Sequence, residues 1–208
     1  MKRIVLMALL ALALPLAGFA STIDFTNHTG TLTGSMSGLS LSSSVLVAVN
    51  PWGGVAIGGA DLGTVSFSTG AFMSTTGTGI GSVAMFSATG SSFTITSNGS
   101  NSSLASGTIF SGTFSGPIKL TEIASSPSGG TIYEIFGQLT GTLDGKAVSG
   151  VTVEDYVFTG KNGWMGSSTL GSGDTFLSTN TVPEPGTLGL LGTGLVGLAG
   201  LVRKKLKA

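Results

Sequence analysis

An all-β fold, an antiparallel β-sandwich or jelly roll, is predicted for residues 21–180 of this 208-residue chain. From Ser21 onward, short apolar alternations are separated by clusters of Gly, Ser and Asn, the texture of half-buried strands between tight turns. Glycine recurs too often for long helices, and helical periodicity is hard to find. Asn98-Gly99 and Asp144-Gly145 are two-residue turn signals that suit the type I′ geometry joining antiparallel strands.

Taken in order, the apolar runs predict strands at Ser44–Asn50, Leu62–Ser68, Val83–Ala88 and Ser92–Ser97. Later strands are expected at Gly107–Phe114, Ile118–Ile123, Thr131–Leu143 and Ala147–Thr159, with a short one at Thr175–Ser178. Phe93-Thr94-Ile95-Thr96 alternates cleanly, its apolar residues facing inward and its threonines outward. Pro127-Ser128-Gly129-Gly130 reads as a longer loop. The pairs Gly107-Thr108, Gly112-Thr113, Gly130-Thr131 and Gly141-Thr142 share no period and read as glycines at strand bends, not as a solenoid repeat. A transmembrane β-barrel is the alternative fold, but the strands lack aromatic girdles.

The Asp144-Gly145 turn fixes a register. If Leu143 pairs with Lys146, Phe136 faces Val153, Tyr133 faces Tyr156 and Ile132 faces Val157. Such cross-strand pairs contribute roughly 0.2–1 kcal/mol each. The same register sets Glu134 against Asp155, an unfavourable pair of like charges. A β-bulge, solvent exposure or a cation between the two would relieve it, and calcium takes oxygen ligands of this kind.

Both ends of the chain read as addresses. Lys2-Arg3, the apolar run Ile4–Leu14 and the small-residue exit Ala17-Gly18-Phe19-Ala20 form a secretory signal over residues 1–20. Signal peptidase is its expected partner, cutting after Ala20. Residues 181–208 form the second address. Val182-Pro183-Glu184-Pro185 precedes an uncharged Gly/Leu-rich segment, about 186–202, and a basic tail, 203–208, with Arg203, Lys204, Lys205 and Lys207. The uncharged part from Thr187 gives roughly 24 Å of helix at about 1.5 Å per residue, a short membrane span. The four cations hold its end on the cytoplasmic side.

These residues resemble the C-terminal sorting signal of PEP-CTERM proteins, with Pro183, Glu184 and Pro185 as the tripeptide. The resemblance covers about 27 of the 208 residues. It implies export through the inner membrane of a Gram-negative bacterium, anchoring there, and cleavage near the motif by an exosortase, a membrane-embedded transpeptidase. It implies a final place at the cell surface or outside the cell, and many proteins of this kind come from makers of extracellular polysaccharide. It implies nothing about residues 21–181.

Without the two addresses, residues 21–181 keep three lysines against eight carboxylates, a net charge of −5. That balance argues against nucleic acid, which needs a basic footprint. The absence of cysteine excludes disulfides and thiolate metal sites. The one G-x-G-x-x-G, Gly192 to Gly197, lies in the apolar tail and has no strand before it. There is no G-x-S-x-G elbow and no P-loop. His28, the sole histidine, is expected in an exposed lead-in, and zinc would need more ligands than the chain supplies.

Asp61, Glu122, Glu134, Asp144, Glu154, Asp155 and Asp174 include no pair that spacing singles out for glycoside hydrolysis. Trp52 and Trp164, each beside glycine, are candidates for sugar stacking or for plugging the end of the fold. The expectation is a non-enzymatic surface or matrix protein without a required cofactor. Its uncharged Ser/Thr-rich surface suits contact with extracellular polysaccharide. The alternatives are a carbohydrate-binding module using Trp52 or Trp164, and a carboxylate-dependent hydrolase.

Overall fold

Alternation of buried and exposed side chains, two residues to the period, organises the strands of this chain. The structure is a computed structural model and describes residues 22–126, 130–158 and 163–179, within the compact unit Ser21–Thr179. The proposed secretory signal, the sorting tripeptide, the apolar span and the basic tail lie outside the described residues. Among the described residues no helix is long and apolar enough to cross a membrane.

The strands are β1 (Thr22–His28), β2 (Thr31–Ser35), β3 (Gly38–Trp52), β4 (Val55–Ser68), β5 (Phe72–Thr76) and β6 (Val83–Phe86). They continue as β7 (Ser92–Ser97), β8 (Gly107–Phe114), β9 (Ile118–Ser126), β10 (Gly130–Leu143), β11 (Lys146–Phe158) and β12 (Gly166–Thr179). All the pairings are antiparallel. The strands β7 and β8 have the predicted bounds. In contrast, β3, β4, β9 and β12 run well beyond the apolar runs that announced them, and β1, β2 and β5 were not foreseen.

The pairings join into one hydrogen-bonded sheet that returns to its start. From β10 the circuit passes through β11 to β12, whose first residues pair with β2 and whose last pair with β1. Both β1 and β2 pair with β3, and the path continues through β4, β7 and β8 back to β10. The strand β10 serves two neighbours on one side: Leu139–Leu143 pairs with β8, while Gly130–Phe136 pairs with β9. From β9 a branch leads to β6 and ends at β5. The predicted antiparallel all-β class holds, and its strands close around a core rather than separating into two unconnected sheets.

The interior is apolar. Phe67 stacks on Phe93 with centroids 5.7 Å apart, and Phe114 meets both edge-on. Phe110 packs edge-on against Phe93 at 6.0 Å. Such ring pairs add about 0.5–1.5 kcal/mol each beyond area burial. Glycines make the room. Gly112 and Gly141 pair across β8 and β10, and a Cβ on either would lie within 3 Å of the Phe110 ring. A Cβ on Gly137 would lie 2.4 Å from Phe114. At two of the Gly-Thr echoes, Gly112-Thr113 and Gly141-Thr142, glycine therefore accepts an aromatic ring inside while threonine faces out.

The Asp144-Gly145 hairpin has the predicted register throughout, from Leu143↔Lys146 to Ile132↔Val157. Asp144 and Gly145 both have positive φ, 49° and 77°, as a type I′ turn requires. Asn98-Gly99 corrects a prediction, because it opens a loop from 98 to 106 instead of a two-residue turn. Asn98 there donates to the Asp61 carboxylate at 2.9 Å, and Ser100 Oγ donates to the Asp61 carbonyl at 2.8 Å. These contacts tie the loop to β4.

Candidate functional site

Alternation sends one set of side chains outward from the closed sheet, and these form two surfaces of different chemistry. From Leu62 to Ile118 the sequence holds no Asp, Glu, Lys, Arg or His. Across β2, β3, β4 and β7 the register aligns Thr33, Ser40, Ser68 and Ser92 in one row. A second row, Ser66, Thr94, Ser111 and Thr142, crosses β4, β7, β8 and β10. A third, Thr113, Thr140, Ser149, Ser178 and Thr22, continues around β8, β10, β11, β12 and β1. Neighbouring hydroxyls bond to one another: Thr64 to Thr96 at 2.7 Å, Ser68 to Ser92 at 2.8 Å and Thr22 to Ser178 at 3.0 Å. The result is an uncharged surface dense in groups that both donate and accept.

Carboxylates gather on the outward side of β10, β11, β12 and β1. Glu134 stands opposite Asp155 as predicted, with no bulge in the β10–β11 register. Asp174 lies opposite Val153 on one side and Thr26 on the other, diagonal to both Asp155 and Asp24. Burial first, and then the Asp174 charge, push the Asp155 and Asp24 carboxyls above the usual carboxylate range. Asp24 was absent from the candidate acids because no apolar run marks β1. Among the described residues no group of three or more His, Asp or Glu side chains is placed to hold a metal ion. His28 is half-buried on β1, not in an exposed lead-in, with Nδ1 3.3 Å from the Thr29 hydroxyl.

A third feature lies inside. Glu154 projects from β11 into the core and is 0% exposed. Asn27 Nδ2 donates to Glu154 Oε2 at 3.0 Å and to Ser44 Oγ at 2.9 Å. Thr152 Oγ1 donates to Glu154 Oε1 at 3.1 Å and lies 3.0 Å from Thr175 Oγ1. Glycine again supplies the space, since a Cβ on Gly173 would sit 1.9 Å from Glu154 Oε2. Burial outweighs these hydrogen bonds and pushes the Glu154 carboxyl up to about 8. Tyr156, also fully buried, is raised well above the usual phenol range by burial and by Glu154. Sealed from solvent, Glu154 cannot touch an external polymer, so its place is structural. Spacing along the sequence does not reveal which carboxylate turns inward.

The two tryptophans are half-buried and pack against the core. Trp52 meets Phe25 edge-on at 6.4 Å. Trp164 stacks on Phe72 at 5.3 Å and meets Phe86 edge-on at 5.0 Å. Its backbone passes so close to Gly34 that a Cβ there would lie 2.3 Å from the Trp164 carbonyl oxygen. Trp164 thus bridges β2 and β5. Among the described residues the aromatic ring most open to solvent is Phe176, 37% exposed. It lines a groove of about 380 Å³ with Gln138, Val151, Ser115, Ser149 and Ser178. Phe176 carried no signal in the sequence because its place beside Gln138 and Val151 depends on pairing across three strands.

The family description of the PEP-CTERM protein-sorting motif matches residues 181–204. The tail is a PEP-CTERM motif, which marks the chain for export and for membrane-associated sorting by an exosortase in a Gram-negative bacterium. No curated protein and no solved structure matches the chain.

Proposed function

We propose that this is a non-enzymatic protein of the cell surface or extracellular matrix, released by exosortase cleavage near Pro183-Glu184-Pro185 and in contact with extracellular polysaccharide. The hydroxyl rows carry the reading. A sugar polymer presents hydroxyls at many positions, and a surface of Ser and Thr can donate to and accept from them without charge. The closed sheet holds that surface rigid, so little ordering entropy is spent on contact. Calcium is not required in this reading: Glu134 and Asp155 are two ligands where such an ion takes six to eight, about four fewer than needed.

A second reading, a carbohydrate-binding module, is favoured by the Phe176 groove rather than by Trp52 or Trp164. There an exposed ring stands beside the Gln138 amide and three serines, the mixture that fixes a sugar by stacking and hydrogen bonding. A carboxylate-dependent hydrolase has less support, because the outward acids lie across a sheet face.

The test is retention of the exported chain on the producing cell's purified polysaccharide. The surface reading expects weak, broad retention that survives Phe176→Ala. Loss of retention with Phe176→Ala transfers the assignment to the module, and turnover abolished by one Asp or Glu change transfers it to the hydrolase. Failure to bind any such polymer refutes both binding readings. Independently, deleting residues 183–208 should release the chain from the envelope fraction, and unchanged fractionation would overturn the anchoring.

A further inference from the structure

The outer face of β10, β11, β12 and β1 mixes two chemistries in a single row. Gln138, Val151, Phe176 and Asp24 are successive register partners across these four strands. Three strand spacings of about 4.8 Å make the row roughly 14 Å long. Within it the Phe176 ring is exposed, and the groove it lines carries the Gln138 amide and the side chains of Ser115, Ser149 and Ser178. Carboxylates lie on the other side of the ring. Asp24 is directly opposite Phe176, and Asp174 is two residues before it on β12, on the same face. Directly opposed side chains have Cβ atoms about 5 Å apart, so the ring and the Asp24 carboxylate can meet one ligand.

No cation answers these carboxylates from the neighbouring strand positions. The register partners of Asp24 are Phe176 and Asn50, and those of Asp174 are Val153 and Thr26. One oxygen of Asp24 is sealed from solvent and has no hydrogen-bond partner. Burial and then the Asp174 charge raise the Asp24 carboxyl, and no cationic neighbour among the described residues lowers it. Negative charge that is both poorly solvated and unpaired favours a positive ligand group over a neutral one. A bare cation would leave the ring and the polar groove unused. A neutral sugar would fill the groove and leave the carboxylates unanswered.

We propose that the Phe176 groove, together with Asp24 and Asp174, is a subsite for an amine-bearing sugar, a hexosamine unit of an extracellular polysaccharide. The C–H face of the sugar lies on the Phe176 ring, and its hydroxyls meet the Gln138 amide and the serines. Its ammonium meets Asp24 and Asp174, where charge-assisted hydrogen bonds replace water. The choice of a sugar rests on the binding-module reading of this groove, whereas the choice of a charged one rests on the carboxylates. The hydroxyl rows elsewhere on the sheet keep their broad contact with neutral polymer, so the two contacts are separable.

The test is calorimetric titration of the full-length chain in mild detergent with two β-linked glucosamine oligomers of equal length, one fully N-acetylated and one with free amines. At about pH 6 a free amine is protonated and an ordinary carboxylate is ionised. The free-amine oligomer should bind about tenfold more tightly than the acetylated one. Asp24→Asn should erase that preference, and Phe176→Ala should weaken both oligomers. Equal affinity for the two oligomers overturns the proposal, as does a preference that survives Asp24→Asn with the melting temperature retained. A lysine oligomer that binds as tightly, and is indifferent to Phe176→Ala, also overturns it by marking a general attraction of polycations. If neither sugar oligomer binds, the subsite is refuted, and retention of the same preparation on neutral polysaccharide decides the surface reading separately.

Discussion

At the scale of single residues, Glu154 couples stability to pH. Its carboxyl is raised from about 4.5 to about 8 in the folded chain because no water reaches it, although Asn27 and Thr152 both donate to it. Between those values the folded state binds a proton that the unfolded state has released. The resulting stabilisation is complete below about pH 4.5 and is lost progressively as pH rises through about 8. The total is roughly 5 kcal/mol, at about 1.4 kcal/mol for each pH unit between those two values. Glu154→Gln keeps the shape, with its oxygen accepting from Asn27 and its N–H donating to Thr152 Oγ1 while that hydroxyl turns to Thr175, and it removes the titration. The substituted protein should therefore show a melting temperature that changes little between mildly acidic and alkaline pH, while the parent falls. Parallel curves for the two proteins would refute the assignment. Gly173→Ala tests the same place by packing, since its Cβ would meet the Glu154 carboxylate at 1.9 Å. The neighbour is a side chain, but it is held on both oxygens and cannot swing away cheaply. Overpacking of this kind costs about 1–3 kcal/mol, read as a shift of the denaturation midpoint.

At the scale of elements, local chemistry and long-range pairing divide what the sequence could reveal. The β10–β11 hairpin was legible to the residue because Asp144-Gly145 dictates the turn, and a period of two then carries the register from Leu143 to Ile132. That register also places Glu134 against Asp155. The strands β1 and β2 escaped notice because their outward positions are Thr, Asp, His and Ser, and their buried positions alternate Phe25 and Leu32 with Asn27 and Gly34. The strand β12 extends from Gly166 to Thr179 although its inward positions include Ser168, whose hydroxyl bonds the Val157 carbonyl, and Gly173 and Thr175, which adjoin Glu154 and Thr152. Apolar pattern alone found only its end, Thr175–Ser178. Closure of the sheet, and with it the hydroxyl rows and the Phe176 groove, depends on β1–β12 and β8–β10 pairings between distant segments, which no local signal encodes. Two substitutions separate local from distant control. Gly145→Ala puts a Cβ at φ 77° in the hairpin turn and should cost about 1 kcal/mol. Trp164→Ala removes the ring that joins Phe72 and Phe86 to the Gly34 side and should cost about 3 kcal/mol. If the tryptophan is a packing residue, its loss lowers thermal stability and leaves polysaccharide retention at permissive temperature unchanged.

At the scale of the molecule, charge is segregated along the chain and therefore around the sheet. The three lysines and eight carboxylates of residues 21–181 all fall before Leu62 or after Ile118, so β5 to β8 form a neutral tract between charged ones. The consequence separates two mechanisms of polymer contact. Attraction through Asp24, Glu134, Asp155 and Asp174 would select a cationic polymer and would weaken as salt screens it over a Debye length of about 10 Å at 0.1 M. Contact through the Ser and Thr rows has no such term, so retention on polysaccharide should hold from low to high salt. It should also persist when Asp155→Asn and Asp174→Asn thin the acidic surface. Thr94→Glu together with Thr142→Glu would place two carboxylates in the row that runs from Ser66 through Ser111, with both side chains pointing away from the core. Because those positions are on the outer face, the melting temperature should move little, while retention on a neutral polymer should fall by about tenfold through the cost of desolvating the new charges. Retention that instead collapses with salt, or that survives the double glutamate variant unchanged, would move the contact surface from the hydroxyl rows to the acidic strands.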